Sequence, residues 1–175
     1  QIHHSGGPYP LAADLAWSVV MAGPWGPARF SLHRAGQAPF AAHHPWLPPA
    51  WRKAVPTEGR LPLCQGWTLH SCLLARAALP ADWSQNRQPW QAFLDAEQVR
   101  RPLLTTPRPG LKLQPLGMAT GHKSVGDLFT DAKVPRPLRA GWPLILDADS
   151  GRTVWVCGLQ IDHEARITPR TRQVL

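Results

Sequence analysis

The sequence predicts an α+β fold, a small strand-rich domain with an inserted helix, on three observations. Twenty prolines in 175 residues limit helix length and favour short strands and turns. From residue 56 onward, short apolar runs alternate with turn-forming residues, which is the pattern of strands and hairpins. Only one segment joins an N-cap, a 3.6-residue apolar stripe and a stop. A helix set among more numerous strands reads as α+β.

Residues 1–55 read as a loosely organised N-terminal segment, the end of a preceding domain. Leu11 to Met21 is expected as a short helix, broken by Gly23-Pro24-Trp25-Gly26-Pro27. Arg29-Phe30-Ser31-Leu32-His33 alternates as a strand does. His43-His44-Pro45 to Pro48-Pro49 reads as a proline-punctuated linker.

Residues 56–175 are better patterned. Leu61 to Cys64, a Gln65-Gly66 turn and Trp67 to Leu74 predict a β-hairpin. Trp90 to Leu94 is expected as a strand ending at Asp95, and Leu103 to Thr106 as another, closed by Pro107-Arg108-Pro109-Gly110. The helix begins at Ser124, with Asp127 three residues on as a capping-box partner. Val125, Leu128, Phe129 and Ala132 form its apolar stripe, Lys133 falls in its last turn, and Pro135 stops it. Trp142–Leu146 and Thr153–Leu159 predict two buried strands joined by a polar turn, with Phe129 and Trp155 in the core. Ala165 to Thr168 is a last strand candidate.

Composition removes several functional classes. With 43% hydrophobic and 17% charged residues, the chain is no disordered polyelectrolyte. No run approaches 18 apolar residues, so no membrane span is expected. The start at Gln1 shows no basic stretch followed by an apolar one, so no secretory signal is expected. Cys64, Cys72 and Cys157 include no C-x-x-C pair and read as reduced, mostly buried thiols of a cytoplasmic protein. The eight histidines lack the i, i+4 spacing that sets two imidazoles on one helical face, so no metal ligand is nominated. No G-x-S-x-G occurs and no catalytic residue is assigned. Asp147, Asp149 and Asp162-His163-Glu164 read as solvated loop residues.

Two glycine-rich stretches fail as phosphate loops. Ser5-Gly6-Gly7 continues into Pro8-Tyr9-Pro10 and lacks the Asp and second Ser of an S-G-G-x-D-S loop. Gly117 to Ser124 has three residues between its glycines, and His122 precedes Lys123, so it is no Walker A loop. The remaining signal is basic. The formal net charge is +8, and Arg108, Lys112, Lys123, Lys133, Arg136 and Arg139 face only Asp127 and Asp131 across their stretch. Clustered cations suit phosphate contacts, because each contact releases a counterion and the effects add. A solvated basic face has the same composition.

Ordered motifs sharpen this. Gln114-Pro115-Leu116-Gly117-Met118, Val125-Gly126-Asp127-Leu128-Phe129, Asp131-Ala132-Lys133-Val134-Pro135, Arg139, Trp142-Pro143-Leu144 and Val154 to Leu159 resemble the C-terminal domain of tRNA(Ile)-lysidine synthases. The resemblance is strongest over 101–175 and weaker back through Gly66-Trp67 and Phe93-Leu94-Asp95. It implies a fold similar to a module of the phenylalanyl-tRNA synthetase beta chain. It implies a parent ligase that uses ATP to adenylate the wobble cytidine of an isoleucine tRNA with a CAU anticodon, after which lysine attacks. ATP and Mg would belong to an N-terminal domain carrying the S-G-G-x-D-S loop, leaving no cofactor for this chain. The region would bind the tRNA acceptor stem through the six basic residues named above, within a parent enzyme able to dimerise. The family often opens this domain with R-x-G-D-R/K. Here Arg108-Pro109-Gly110 fits, Leu111 replaces the Asp, and Lys112 holds the basic position. The competing expectation is a non-catalytic protein-interaction module whose tryptophans form the partner surface.

Overall fold

The computed structural model describes residues 6–12, 14–20, 29–34, 44–85 and 88–175. Strands β1 (Gly6–Ala12), β2 (Leu15–Val20) and β3 (Arg29–Arg34) form an antiparallel meander. The strand expected at Arg29–His33 is β3. The helix expected from Leu11 is replaced by β1 and β2. Pro8 and Pro10 disfavour a helix there and cannot donate to a ladder. Accordingly β1 lies at the sheet edge, and its register with β2 shifts twice. The Gly23–Pro27 break, Ser5, the His3-His4 pair and His43 lie outside the described residues.

Next come β4 (Arg52–Ala54), β5 (Gly59–Pro62), β6 (Thr68–Ser71), β7 (Leu74–Ala75), β8 (Pro102–Thr105), β9 (Lys112–Leu113) and β10 (Lys123–Ser124). Helices α1 (Val125–Asp131) and α2 (Arg136–Arg139) follow, then β11 (Leu144–Asp147), β12 (Thr153–Val156), β13 (Gln160–Ile161) and β14 (Gln173–Val174). The centre is a five-stranded antiparallel sheet in the order β13-β12-β11-β8-β4.

Each face of this sheet carries its own core. Leu144, Leu146 and Val156 pack with Val125 and Phe129 of α1, Leu138 of α2 and Trp142. Leu104, Ile145 and Trp155 pack on the other face with Leu47, Val55 and Leu94. This is the period-2 alternation of a sheet covered on both sides. It breaks once. Ile145 pairs Trp155 while Leu146 pairs Thr153, leaving Val154 unpaired as a bulge. Val154 thereby joins the same core as its neighbour Trp155.

Trp142 is fully buried. Its indole Nε1–H donates to the Cys157 carbonyl at 2.7 Å, and its ring contacts those of His44, Trp90 and Phe129. The expected burial of Phe129 and Trp155 is observed.

The segment expected as a linker is instead part of this packing. Leu47 is completely buried, and its N–H donates to the Gly141 carbonyl at 2.8 Å. The Trp46 ring lies so close to Gly141 that a Cβ there would come within 2.1 Å of it. Prolines mark the segment as irregular, but Trp46 and Leu47 between them carry enough apolar area to be held. Strand β4 follows at once and pairs with β8, so residues 44–55 pack with the chain that comes after them.

Other expectations divide. The β5–β6 hairpin turns at Gln65-Gly66, both in left-handed backbone, and its second strand stops at Ser71. Trp90–Leu94 is no ladder strand. Leu94 and Leu175 exchange two backbone hydrogen bonds of 2.9 Å, and Asp95 forms a single bridge with Val174. Ala165–Thr168 is no strand either. A 3₁₀ turn at His163–Ala165, capped by the Asp162 carboxylate, occupies its start.

Two acids expected in solvent are buried. Asp162 accepts from the backbone N–H of Gln114 and Glu164 and pairs with Arg152 at 3.5 Å. Asp147 accepts from the Arg101 N–H and from both the N–H and hydroxyl of Ser150. Burial alone would raise the Asp147 pKa, but the bonds from Ser150 and from neighbouring backbone amides outweigh it and hold the carboxyl below its ordinary range. Asp149 stays exposed, in an ion pair with Arg101.

The three cysteines are free: Cys157 buried, Cys64 half-buried, Cys72 exposed. Burial pushes the Cys157 thiol pKa far up, and the thiol form is a poor nucleophile. A maleimide reagent should therefore label Cys72 first and Cys157 only on unfolding, read by mass spectrometry of digested protein. Early labelling of Cys157 would contradict the packing around Trp142.

Candidate nucleic-acid interface

Helix α1 starts as its sequence dictates. The Ser124 hydroxyl oxygen accepts from the Asp127 N–H at 3.0 Å, and the hydroxyl donates back to the Asp127 carboxylate at 2.7 Å. Its C-terminus differs from expectation. Lys133 is not in the last turn but in a Schellman motif beyond the helix. Its N–H reaches the Thr130 carbonyl, the Val134 N–H reaches the Phe129 carbonyl, and Lys133 takes the left-handed backbone, φ 53°. Glycine is the usual residue there, so nothing local in the sequence marked the turn. Val134 is buried with Phe129, which completes the motif.

This turn positions Arg139. Its Nε–H donates to the Val134 carbonyl at 2.8 Å and its Nη1 to the Thr130 hydroxyl at 3.3 Å. The half-buried guanidinium is fixed rather than free to sweep through solvent. Partial burial, and next the positive charge of Arg136, lower its pKa from the ordinary value. Arginine stays charged despite this. Arg136 and Arg139 stand three residues apart in α2, a spacing that makes them neighbours on the helix surface.

Arg139 and Arg108 line one groove of about 440 Å³, between the Pro107–Leu111 loop and the start of α1. Pro107, Pro109, Leu111 and Phe129 supply its apolar surface. Lys112 stands directly opposite Ser124 in the β9–β10 ribbon, and Ser124 also lines the groove. Cross-strand partners share a face, which turns Lys112 to the groove side. Lys123 pairs with the buried Leu113 instead and is turned the other way. Its ammonium forms an ion pair with Asp131.

The structure thus separates the six basic residues nominated from sequence. Arg108 and Arg139 share the groove, Arg136 adjoins it, and Lys112 borders it. Lys123 is committed to Asp131, and Lys133 is exposed at the far end of a helix about 10 Å long. Among the described residues, Arg108, Lys112, Lys133, Arg136 and Arg139 take part in no ion pair with an acid. Among the same residues, no three His, Cys, Asp or Glu side chains converge to hold a metal ion, and no helix is long and apolar enough to cross a membrane.

The fold defines the class: a small antiparallel-sheet module with two short helices on one face and a basic groove at their edge. A solved structure described as the crystal structure of TILS C-terminal domain superposes with a TM-score of 0.57 at 25% identity, covering 71% of this chain and 92% of that one. Residues 103–175 match the family model of the TilS substrate C-terminal domain. Among curated proteins, the tRNA(Ile)-lysidine synthase of Symbiobacterium thermophilum is 36% identical over 148 residues, 80% of this chain and 29% of that protein. That of Geobacter sulfurreducens is 45% identical over 83 residues, 47% of this chain and 17% of that protein. The chain therefore spans less than a third of the length of these relatives.

Proposed function

We propose that this chain is the tRNA-recognition region of a tRNA(Ile)-lysidine synthase, acting in the cytoplasm on an isoleucine tRNA with a CAU anticodon. The observation that carries this reading is the groove holding Arg108 and Arg139, with Arg136 beside it, on a domain that matches this family. A stem of A-form RNA offers its phosphates and 2′-hydroxyls and hides its base edges in a deep groove. Fixed guanidinium groups suit phosphate oxygens, to which they can donate two parallel hydrogen bonds. Ligation of lysine, with its ATP and Mg, belongs to other parts of the parent enzyme, and this chain alone forms no lysidine.

Salt-dependent tRNA binding tests this reading. Arg108→Ala with Arg139→Ala should weaken binding and reduce the log–log salt slope by up to about 1.8, taking about 0.9 per phosphate by analogy with B-DNA. Thermal midpoints of the variant establish that it is folded. Unchanged affinity and slope would refute the assignment of the groove. Absence of tRNA binding by the wild-type chain would favour the protein-interaction module, for which an apolar groove of about 870 Å³ between the β5–β6 hairpin and the central sheet offers a surface.

A further inference from the structure

The five-stranded sheet ends at β4, and among the described residues no strand pairs with its outer side. β4 lies ahead of residues 103–175 and carries two adjacent exposed cations, Arg52 and Lys53. Register assigns them to opposite faces. Arg52 stands opposite Thr105, and Thr105 stands opposite Leu144, which belongs to the core under α1 and α2. Lys53 stands opposite Leu104 and Ile145, which belong to the other core. The flanking residues agree: Trp51 and Val55, two positions either side of Lys53, pack in that second core. The Lys53 ammonium lies over the Trp51 ring, 4.5 Å from its centroid.

Arg52 is therefore on the helix face of the sheet, at the end where β8 hands the chain to the arginine groove. Arg108 follows Thr105 by three residues, at most about 10 Å of chain. Two hydrogen bonds fix this corner: Thr105 Oγ1 to the Trp51 carbonyl at 3.0 Å, and the Leu47 N–H to the carbonyl of Gly141, two residues after Arg139. We infer that the phosphate-binding surface continues from the groove onto the sheet edge, with Arg52 as a further contact to the RNA backbone.

The inference rests on the tRNA-recognition reading. Its competitor is that Arg52 merely guards an exposed strand edge against pairing with another chain. The two differ in their tests, and Lys53 is a matched control: same strand, same charge, opposite face. The experiment measures tRNA binding by the 175-residue chain between about 50 and 200 mM salt. Wild type is compared with Arg52→Ala, Arg52→Lys, Lys53→Ala and the Arg108→Ala/Arg139→Ala double variant.

Loss of one phosphate contact lowers the slope by about 0.9, so the drop in affinity across that range should be about 3.5-fold smaller for Arg52→Ala. Arg52→Lys should recover most of the slope, and Lys53→Ala should match wild type. Equal effects of Arg52→Ala and Lys53→Ala would overturn the inference, as would aggregation of Arg52→Ala with tRNA binding intact. If the double variant weakens binding and Arg52→Ala does not, only Arg52 is misassigned. If neither changes it, the recognition reading falls as well.

Discussion

Trp142→Ala should destabilise the protein by about 3–5 kcal/mol, the usual cost of emptying a large buried aromatic site. The ring is fully buried and meets His44, Trp90 and Phe129, side chains from three separate parts of the chain. Removing it opens a cavity at their junction and also leaves the Cys157 carbonyl without its indole donor. A domain is normally stable by only about 5–15 kcal/mol, so the variant should unfold at a much lower urea concentration. Trp142→Phe should lose less, because it keeps ring contacts and forfeits the hydrogen bond. Urea unfolding followed by far-UV circular dichroism reads both. A shift equivalent to less than about 1 kcal/mol for Trp142→Ala would show that the aromatic cluster does not organise the core.

The second large effect belongs to an acid. Asp162→Ala removes a carboxylate that accepts from two backbone amides and pairs with Arg152. Breaking a buried ion pair from one side costs about 3–5 kcal/mol, because the partner charge and donors stay behind. Arg152 keeps about a quarter of its side chain, 27%, in solvent and recovers some hydration, which favours the lower end of that range. Hydrogen exchange gives the sharper check. The Gln114 and Glu164 amides should lose protection first, since both donate to this carboxylate. Retained protection at both would show that the junction between Gln114 and Asp162 is held by other contacts.

Legibility in the sequence followed the range of the interaction. Ser124 and Asp127 lie three residues apart and cap one helix, and α1 starts where that pair predicts. The β11–β12 and β5–β6 hairpins were likewise readable, because each is closed by a local turn. The position of Lys133 is not legible locally, because its left-handed turn depends on the Phe129 and Thr130 carbonyls rather than on its own side chain. Asp147 and Asp162 read as loop acids in the sequence because one donor to each is remote: the Arg101 and Gln114 amides, 46 and 48 residues distant. The candidate site divides in the same way. The concentration of cations from Arg108 to Arg139 is visible as composition, whereas their sorting into groove, border and ion pair depends on the register of β9 with β10. Arg52 was hidden because only pairing with β8 reveals which way it faces.

The pairing of residues 94–97 with 171–175 bears on how the protein is made. The Thr171 hydroxyl donates to the buried Asp95 carboxylate across 76 residues of sequence. At about 5–20 residues per second of synthesis, Asp95 emerges roughly 4–15 s before its partner. For most of that interval β4 and β8 wait for β11 and β12, and Trp46, Leu47, Trp51 and Trp90 have no completed sheet to cover them. The nascent chain thus passes through a window in which its most aromatic half is open to chaperones or to neighbouring ribosomes' products. Yield from slow translation should depend on that window more than on the stability of the finished fold.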